Sequence, residues 1–296
     1  MRPLAIIPMV CCIAAVALAF MCLFAGHKKS FMEEYHIITL NTSRIGYNLL
    51  NTTSEESANP LEDLLKDIKD KFKDEINQFA GDMAERLGIE DFYSLHLLTF
   101  CSGDYVPGPM ANETVKQDDI TKDVTDCSKA KAMFTWNPTE TLERRLNETG
   151  LGVTLEDLGW PDEIQDGINT LQTVQKAAFI LYCLSIAFIF ITLIAAFPGF
   201  YASGRLLPAL NILLSTLSFI TIGLSSALMT ALIVKGSEVI NKNGKDIGVE
   251  AHLGGKFMTI TWASTAAMFI ATFVWCVEIC FGERVHRRQS YVTKEG

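Results

Sequence analysis

Four stretches of this chain are almost free of charge, and the polar residues fall between them. They run from Leu4 to Gly26, Ala177 to Phe197, Leu206 to Val234 and Phe257 to Phe281. Each holds about 20 residues or more, so at about 1.5 Å rise per residue each can cross roughly 30 Å of hydrocarbon. Lipid offers the backbone no hydrogen-bond partners, which predicts helix in all four. The first stretch also has signal-peptide features, with Arg2 ahead of an apolar run and "ALA" at Ala17–Ala19. Five more apolar residues, Phe20–Phe24, follow that site, and this length favours a retained span.

The pattern divides the chain into spans at 4–26, 176–197, 206–234 and 257–281, a long loop at 27–175, a short loop at 235–256 and a tail at 282–296. Within the long loop, "YHIITLN" reads as a short β-like run. A helix is predicted over 59–88, where Asn59 caps, Pro60 fits the first turn and Glu62 takes the capping-box position. Its apolar residues, from Leu61 through Ile68, Phe72 and Phe79 to Leu87, share one face, and Gly88 ends it. The same grammar recurs with Asn137, Pro138 and Glu140, then Leu142 and Leu146, then Gly150. A further helix starts at Pro161. Its face of Ile164, Ile168, Leu171 and Val174 runs straight into the second span. The fold class expected is a mainly α membrane protein. It is a bundle of four transmembrane helices with a large, partly helical first loop that contains a disulfide.

Charge sharpens the division. Of 34 Asp/Glu in the chain, 28 lie in residues 26–175, against 14 of the 25 Lys/Arg. An acidic, water-facing segment is thus joined to an apolar, mildly basic remainder. This balance argues against nucleic acid as a partner and for membrane lipids. Basic residues flanking the spans divide almost evenly, so they do not fix the orientation. The sequons do. N-x-S/T occurs at Asn41, Asn51, Asn112 and Asn147, all in the long loop, and such triplets are modified only on the lumenal side. Cys101 and Cys127 are the cysteines outside the apolar stretches, which makes them the candidate disulfide, and disulfides persist in oxidising compartments. A bond between positions 26 apart is worth about 3–4 kcal/mol on the chain-entropy view. Both signals place the loop outside and the two termini in the cytosol.

No catalytic constellation is legible. His27, His36, His96, His252 and His286 are scattered without metal-ligand spacing, and there is neither a nucleophile elbow nor a phosphate-binding glycine loop. No enzyme activity, cofactor or metal is expected. Glu278 is the one ionisable residue inside a span, near its cytosolic end, where it can snorkel or pair with Arg284. Small residues repeat every four positions at Gly223, Ala227 and Ala231 and at Ala263, Ala267 and Ala271, a spacing that lets helices approach closely. In the tail, Arg287 and Arg288 precede Ser290, a possible phosphosite beside a basic cluster that suits an anionic leaflet.

Four segments carry a resemblance: "DFYSLHLLTFCSGDY", "DCSKAKAMFTWNP", "LGWPDEIQDGI" and "NKNGKDIGVEAHLGGKFMTITWA". With the order of the spans they make the chain similar to the claudin superfamily, and more closely to the fungal Sur-seven/PalI family. The resemblance implies a plasma-membrane protein of the cortex, associated with eisosomes, cell-wall integrity and endocytosis. It also implies lateral homo- or hetero-oligomers with other membrane proteins, contact with cell-wall or cortical proteins, and no enzymatic activity. The PalI branch takes part in ambient-pH signalling, but its long cytosolic tail has no counterpart after Phe281. The claudin order of Trp before two Cys is not kept, since Trp136 follows both cysteines, and the loop is expected to be more helical than a claudin's.

Overall fold

The second, third and fourth apolar stretches become helices that outrun them, and the first is helical over Ile6–Phe24. The structure, a computed structural model, describes residues 5–29, 31–45, 86–108, 115–201 and 206–292, the last twelve and a few others as backbone only. The long helices are α1 (Ile6–Phe24), α3 (Asp162–Tyr201), α4 (Leu206–Gly244) and α5 (Gly255–Val292), with a shorter α2 at Pro138–Thr149. Among the described residues, four segments are long and apolar enough to cross a membrane: Ile6–Phe24, Gly167–Pro198, Leu206–Ile247 and Gly255–Cys280. The expected helix over 59–88 lies almost wholly outside the described residues.

The chain forms two units. The first comprises Met1–Phe24, Ala177–Met229 and Phe257–Gly296. Its helices are held by interlocking hydroxyls. Ser226 Oγ reaches Thr261 Oγ1 at 2.8 Å and Thr265 Oγ1 at 2.9 Å, and Tyr182 Oη also bonds Thr261. Ser225 donates to the Ala178 carbonyl and Ser264 to the Ala15 carbonyl, each at 3.0 Å. Small hydroxylated side chains let backbones approach, and each hydrogen bond is worth about 0.6–2 kcal/mol in lipid. Trp275 is buried against Ala5 and Ala196, with Met9 and Ile212 beside it. The outward faces carry exposed Ile13, Phe190, Ile194, Leu213 and Phe273, as suits contact with hydrocarbon.

The second unit, Ala25–Lys176 with Thr230–Lys256, is built on a sheet. Five antiparallel strands run in the order β4-β3-β2-β1-β5: β1 Ile38–Asn41, β2 Phe92–Leu95, β3 Phe100–Val106, β4 Thr121–Cys127 and β5 Glu250–Leu253. Ser94 stands opposite Thr39 on one side and Cys101 on the other. The expectation of a more helical loop is corrected here. β1 falls inside the β-like run, but β2 to β5 add a sheet that joins the long loop to the short one.

The reason lies in side-chain alternation. Ile38, Leu40, Tyr93 and Leu95 are buried on one face, and Thr39, Ser94 and His96 on the other. That alternation is short: β1, β2 and β5 have four residues each, and Phe92 beside Tyr93 interrupts it in β2. β5 is also secured from its outer edge. Asn241 of α4 donates to the Ala251 carbonyl at 3.0 Å and accepts from the Ala251 amide at 2.6 Å, occupying backbone groups that would otherwise pair with another chain.

α2 follows its cap residues. Asn137 Oδ1 accepts from the Glu140 amide, Pro138 opens the helix, and Gly150 closes it at φ 69°.

Candidate functional site

One face of the sheet carries a buried polar cluster. The segment between α1 and β1 folds over it. Gly26 turns at φ +69° with its α-carbon against the His96 ring, so close that a β-carbon there would collide with the imidazole. Met32 takes φ 54° and leads into a short turn at Glu33–Tyr35, which points Glu33 inward.

Glu33 is the hub. Its Oε2 accepts from His96 Nε2 at 3.0 Å, and its Oε1 lies 3.8 Å from Lys122 Nζ. Lys122 donates to Thr39 Oγ1 at 2.8 Å and Ser94 Oγ at 3.2 Å, and sits 4.8 Å over the Phe92 ring. His36 Nδ1 donates to the Glu33 carbonyl at 3.0 Å. His96 is fully buried. Among the described residues its Nδ1 has no hydrogen-bond partner.

Burial and charge shift these groups in different directions. Burial pushes the His36 imidazole down to about 4, helped by the nearby Lys122 charge. Burial also brings the Lys122 ammonium down to about 8, against the pull of Glu33 and Glu34. For Glu33 burial works upward, but the His96 hydrogen bond and the charges of His96 and Lys122 outweigh it and hold the carboxyl below its ordinary range.

Glu33, His96 and Cys101 offer donor atoms within 4.8 Å of one another. They do not suit a metal. The Cys101 sulfur is bonded to Cys127, so it is no thiolate, and the Lys122 ammonium already neutralises the carboxylate. The arrangement holds charge and protons rather than a cation.

The residues singled out from sequence fall in several places. Cys101 and Cys127 stand opposite each other across β3 and β4 and are bonded. Asn41 lies in β1, where its Oδ1 accepts from the Ser43 amide at 3.1 Å and the Ser43 hydroxyl at 2.7 Å. Asn147 is exposed on α2, while Asn51 and Asn112 lie outside the described residues. The side chain of Ser290 is likewise outside them, as are those of Arg284, Arg287 and Arg288.

The small-residue ladders lie partly off the buried seam of the single chain. Ala271 is buried and Gly223 and Ala267 are half-buried, but Ala227, Ala231 and Ala263 are exposed. The seam runs one position away, through Ile222, Ser225, Ser226 and Met229 of α4 and Thr261, Ser264, Thr265 and Met268 of α5. Hydroxyl pairs draw that face inward, because an unpaired hydroxyl in hydrocarbon costs more than a displaced methyl. Glu278 is buried rather than turned out to an interface.

Sequence reasoning missed the Glu33–His96 cluster because its members are brought together only by strand register. The available signal was Ser94 and His96 at a spacing of two, which puts them on one face of a strand.

Four apolar helices, joined by segments that build a separate covered sheet, define a multi-pass membrane protein. The chain belongs to the SUR7/PalI family, whose profile matches residues 4–274. It is similar to SUR7 family protein pun1 of Schizosaccharomyces pombe (strain 972), 24% identical over 287 residues that cover 90% of this chain and 91% of the relative. No solved structure matches it.

Proposed function

We propose that the chain is a non-enzymatic organiser of a plasma-membrane microdomain of the eisosome type, linking cortex and cell wall. Its sheet unit faces outside, and both termini are cytosolic. The observation that carries this reading is the chemistry of the membrane unit's interior. Its helices are tied by short hydroxyl-to-hydroxyl and hydroxyl-to-carbonyl bonds, which suit a fixed scaffold better than a path for ions or solutes. Family membership supports the membrane setting. Apolar outer faces offer surface to lipid and to lateral partners, in homo- or hetero-oligomers. The test is a fluorescent fusion at the native locus. Static cortical patches with slow photobleaching recovery support the reading, and uniform, rapidly recovering fluorescence overturns it.

A second reading is an accessory role in ambient-pH sensing. It is favoured by one observation, the buried cluster of Glu33, His36 and Lys122, whose charge state depends on pH. Deletion that abolishes growth at alkaline pH while cortical patches of a partner persist favours this reading. Normal alkaline growth of the deletion strain removes it.

A further inference from the structure

The face of the sheet opposite the polar cluster carries a cluster of four rings, with Tyr93 and Trp136 buried and Phe100 and Phe134 half-buried. Phe134 and Phe100 have centroids 6.2 Å apart with planes 22° from parallel, Phe100 and Trp136 are 6.0 Å apart at 25°, and Trp136 and Tyr93 are 6.1 Å apart at 27°. Two hydrogen bonds fix Trp136. Trp136 Nε1 donates to Thr141 Oγ1 at 3.0 Å, and Gln172 Nε2 donates to the Trp136 carbonyl at 3.4 Å. Met133, immediately before Phe134, is held at φ 54°, a costly conformation for a side chain with a β-carbon.

Phe100, Phe134 and Trp136 form one wall of an open cleft of about 620 Å³. The other wall is a single face of α2, with Glu140, Glu143, Arg144 and Asn147 rising along successive turns. The volume is in the ordinary range for a ligand site of about 300–1,000 Å³.

We propose that this cleft binds an uncharged glycan. Pyranose rings have a flat C–H face that stacks on an aromatic plane and a rim of hydroxyls that need paired donors and acceptors. The half-buried Phe134 and Phe100 supply the ring surface. Carboxylates, guanidinium and amide supply the paired groups, spaced by a helical turn of about 5.4 Å, close to the length of one sugar unit. Other occupants fit less well. Glu140, Glu143 and Glu148 line the cleft against the one cation Arg144, which repels polyanions such as nucleic acid. A cationic peptide would meet Arg144 at the centre of the helix face.

Two sources can deliver this chemistry. Asn147 heads the sequon completed by Thr149, so a glycan carried on Asn147 itself would rise from the rim of the cleft. The alternative is a separate polysaccharide. The proposal rests on the reading that places this unit outside the cell, but its test does not use cells. Failure of binding therefore leaves the patch experiment standing, and uniform fluorescence leaves the binding result standing.

The experiment titrates the full-length purified protein with laminarihexaose, cellohexaose and chitohexaose, following tryptophan fluorescence and calorimetry. The Thr149→Ala protein, which lacks the sequon but keeps every lining residue, serves as background. Saturable binding of at least one hexaose at or below about 1 mM is expected. Phe134→Ala and Glu143→Gln are each expected to weaken it about tenfold, since a stacked ring or a paired carboxylate is worth that much. Glu143 is exposed, so its variant checks the site without touching the fold. If the glycosylated wild type fails to bind while Thr149→Ala binds, the glycan on Asn147 is the occupant, and equal binding by both identifies a separate polysaccharide. No saturation by any hexaose up to about 10 mM overturns the proposal. So does affinity unchanged in both variants, or preferential binding of oligolysine.

Discussion

His96 Nε2 donates to Glu33 Oε2 across 3.0 Å, although 63 positions separate the two residues. The bond joins β2 to the segment that leaves the first helix, and Gly26 is pressed against the back of the same imidazole. A single ring is thus clamped between a glycine and a carboxylate, with Lys122 on the far side of that carboxylate.

The clamp gives the sheet unit a defined pH dependence. Burial lowers His36 to about 4 from an ordinary 6.5, so between those values the unfolded chain binds more protons than the folded one. Stability therefore falls as pH drops through that window. Glu33, held below its ordinary range, adds a loss in the same direction at the acid end. Lys122, lowered to about 8 from 10.5, makes stability rise again as pH climbs between those values. The groups facing His36 are Lys122, Glu33 and His96. The expected loss from pH 6.5 to 4 is on the order of 2 kcal/mol for His36. Melting of the purified protein across pH checks this. His36→Gln should flatten the acid limb and Lys122→Met the alkaline one, and unchanged limbs in both variants would show that other groups set them.

Gly26→Ala tests the clamp from the other side. A β-carbon there collides with the imidazole, and the residue already takes a φ of +69°. Both effects act together, and the cost is expected to be roughly 2–4 kcal/mol, with the Glu33–His96 bond broken. The matched control is Gly150→Ala. It has the same φ but open space around the added carbon, and should cost only about 1 kcal/mol. Thermal or denaturant unfolding of both variants supplies the comparison, and equal costs would mean that His96 yields freely.

How far the sequence alone reaches is visible in these elements. Helix α2 was legible down to its caps, because Asn137, Pro138, Glu140 and Gly150 act locally on their own helix. The four apolar stretches were legible because lipid imposes length and hydropathy on the sequence directly. The sheet was not, apart from the run containing β1. β2 and β3 are separated from β1 by about fifty residues, β5 by some two hundred, and their pairing is written in register rather than in composition. The cluster around Glu33 inherits the same difficulty. Glu33, His96 and Lys122 look like scattered surface residues until strand order puts them together.

Cys101 and Cys127 close β3 onto β4 at the end of the sheet where Ser128 and Phe100 also bond. Cys101→Ser and Cys127→Ser should therefore produce the same loss of stability, about 2–4 kcal/mol, and the double variant should be no worse than either. Retention of the variants in the secretory pathway is the cellular counterpart. Additive losses would mean that the two cysteines act independently.

The membrane unit makes a sharper test of which small residues matter. The four-residue repeat picks Ala227 and Ala271 equally, but the structure separates them. Ala227 is exposed and Ala271 is fully buried. Ala271→Leu must force three extra carbons into a packed seam, at an expected cost of about 1–3 kcal/mol. Ala227→Leu places the same carbons on an outer face and should leave the stability of a single chain unchanged within about 0.5 kcal/mol. Ser226→Ala supplies the third point. It removes the partner of both Thr261 and Thr265 at the centre of the hydroxyl network, and should cost about 1–2 kcal/mol without adding bulk. Unfolding of the detergent-solubilised protein, paired with a measure of its oligomeric state, distinguishes the cases. A loss of stability in Ala227→Leu comparable to that in Ala271→Leu would show that the alanine ladder packs in the folded chain and that the hydroxyl seam is misplaced. A change confined to oligomeric state would instead mark the exposed alanines as the surface on which copies of this chain meet.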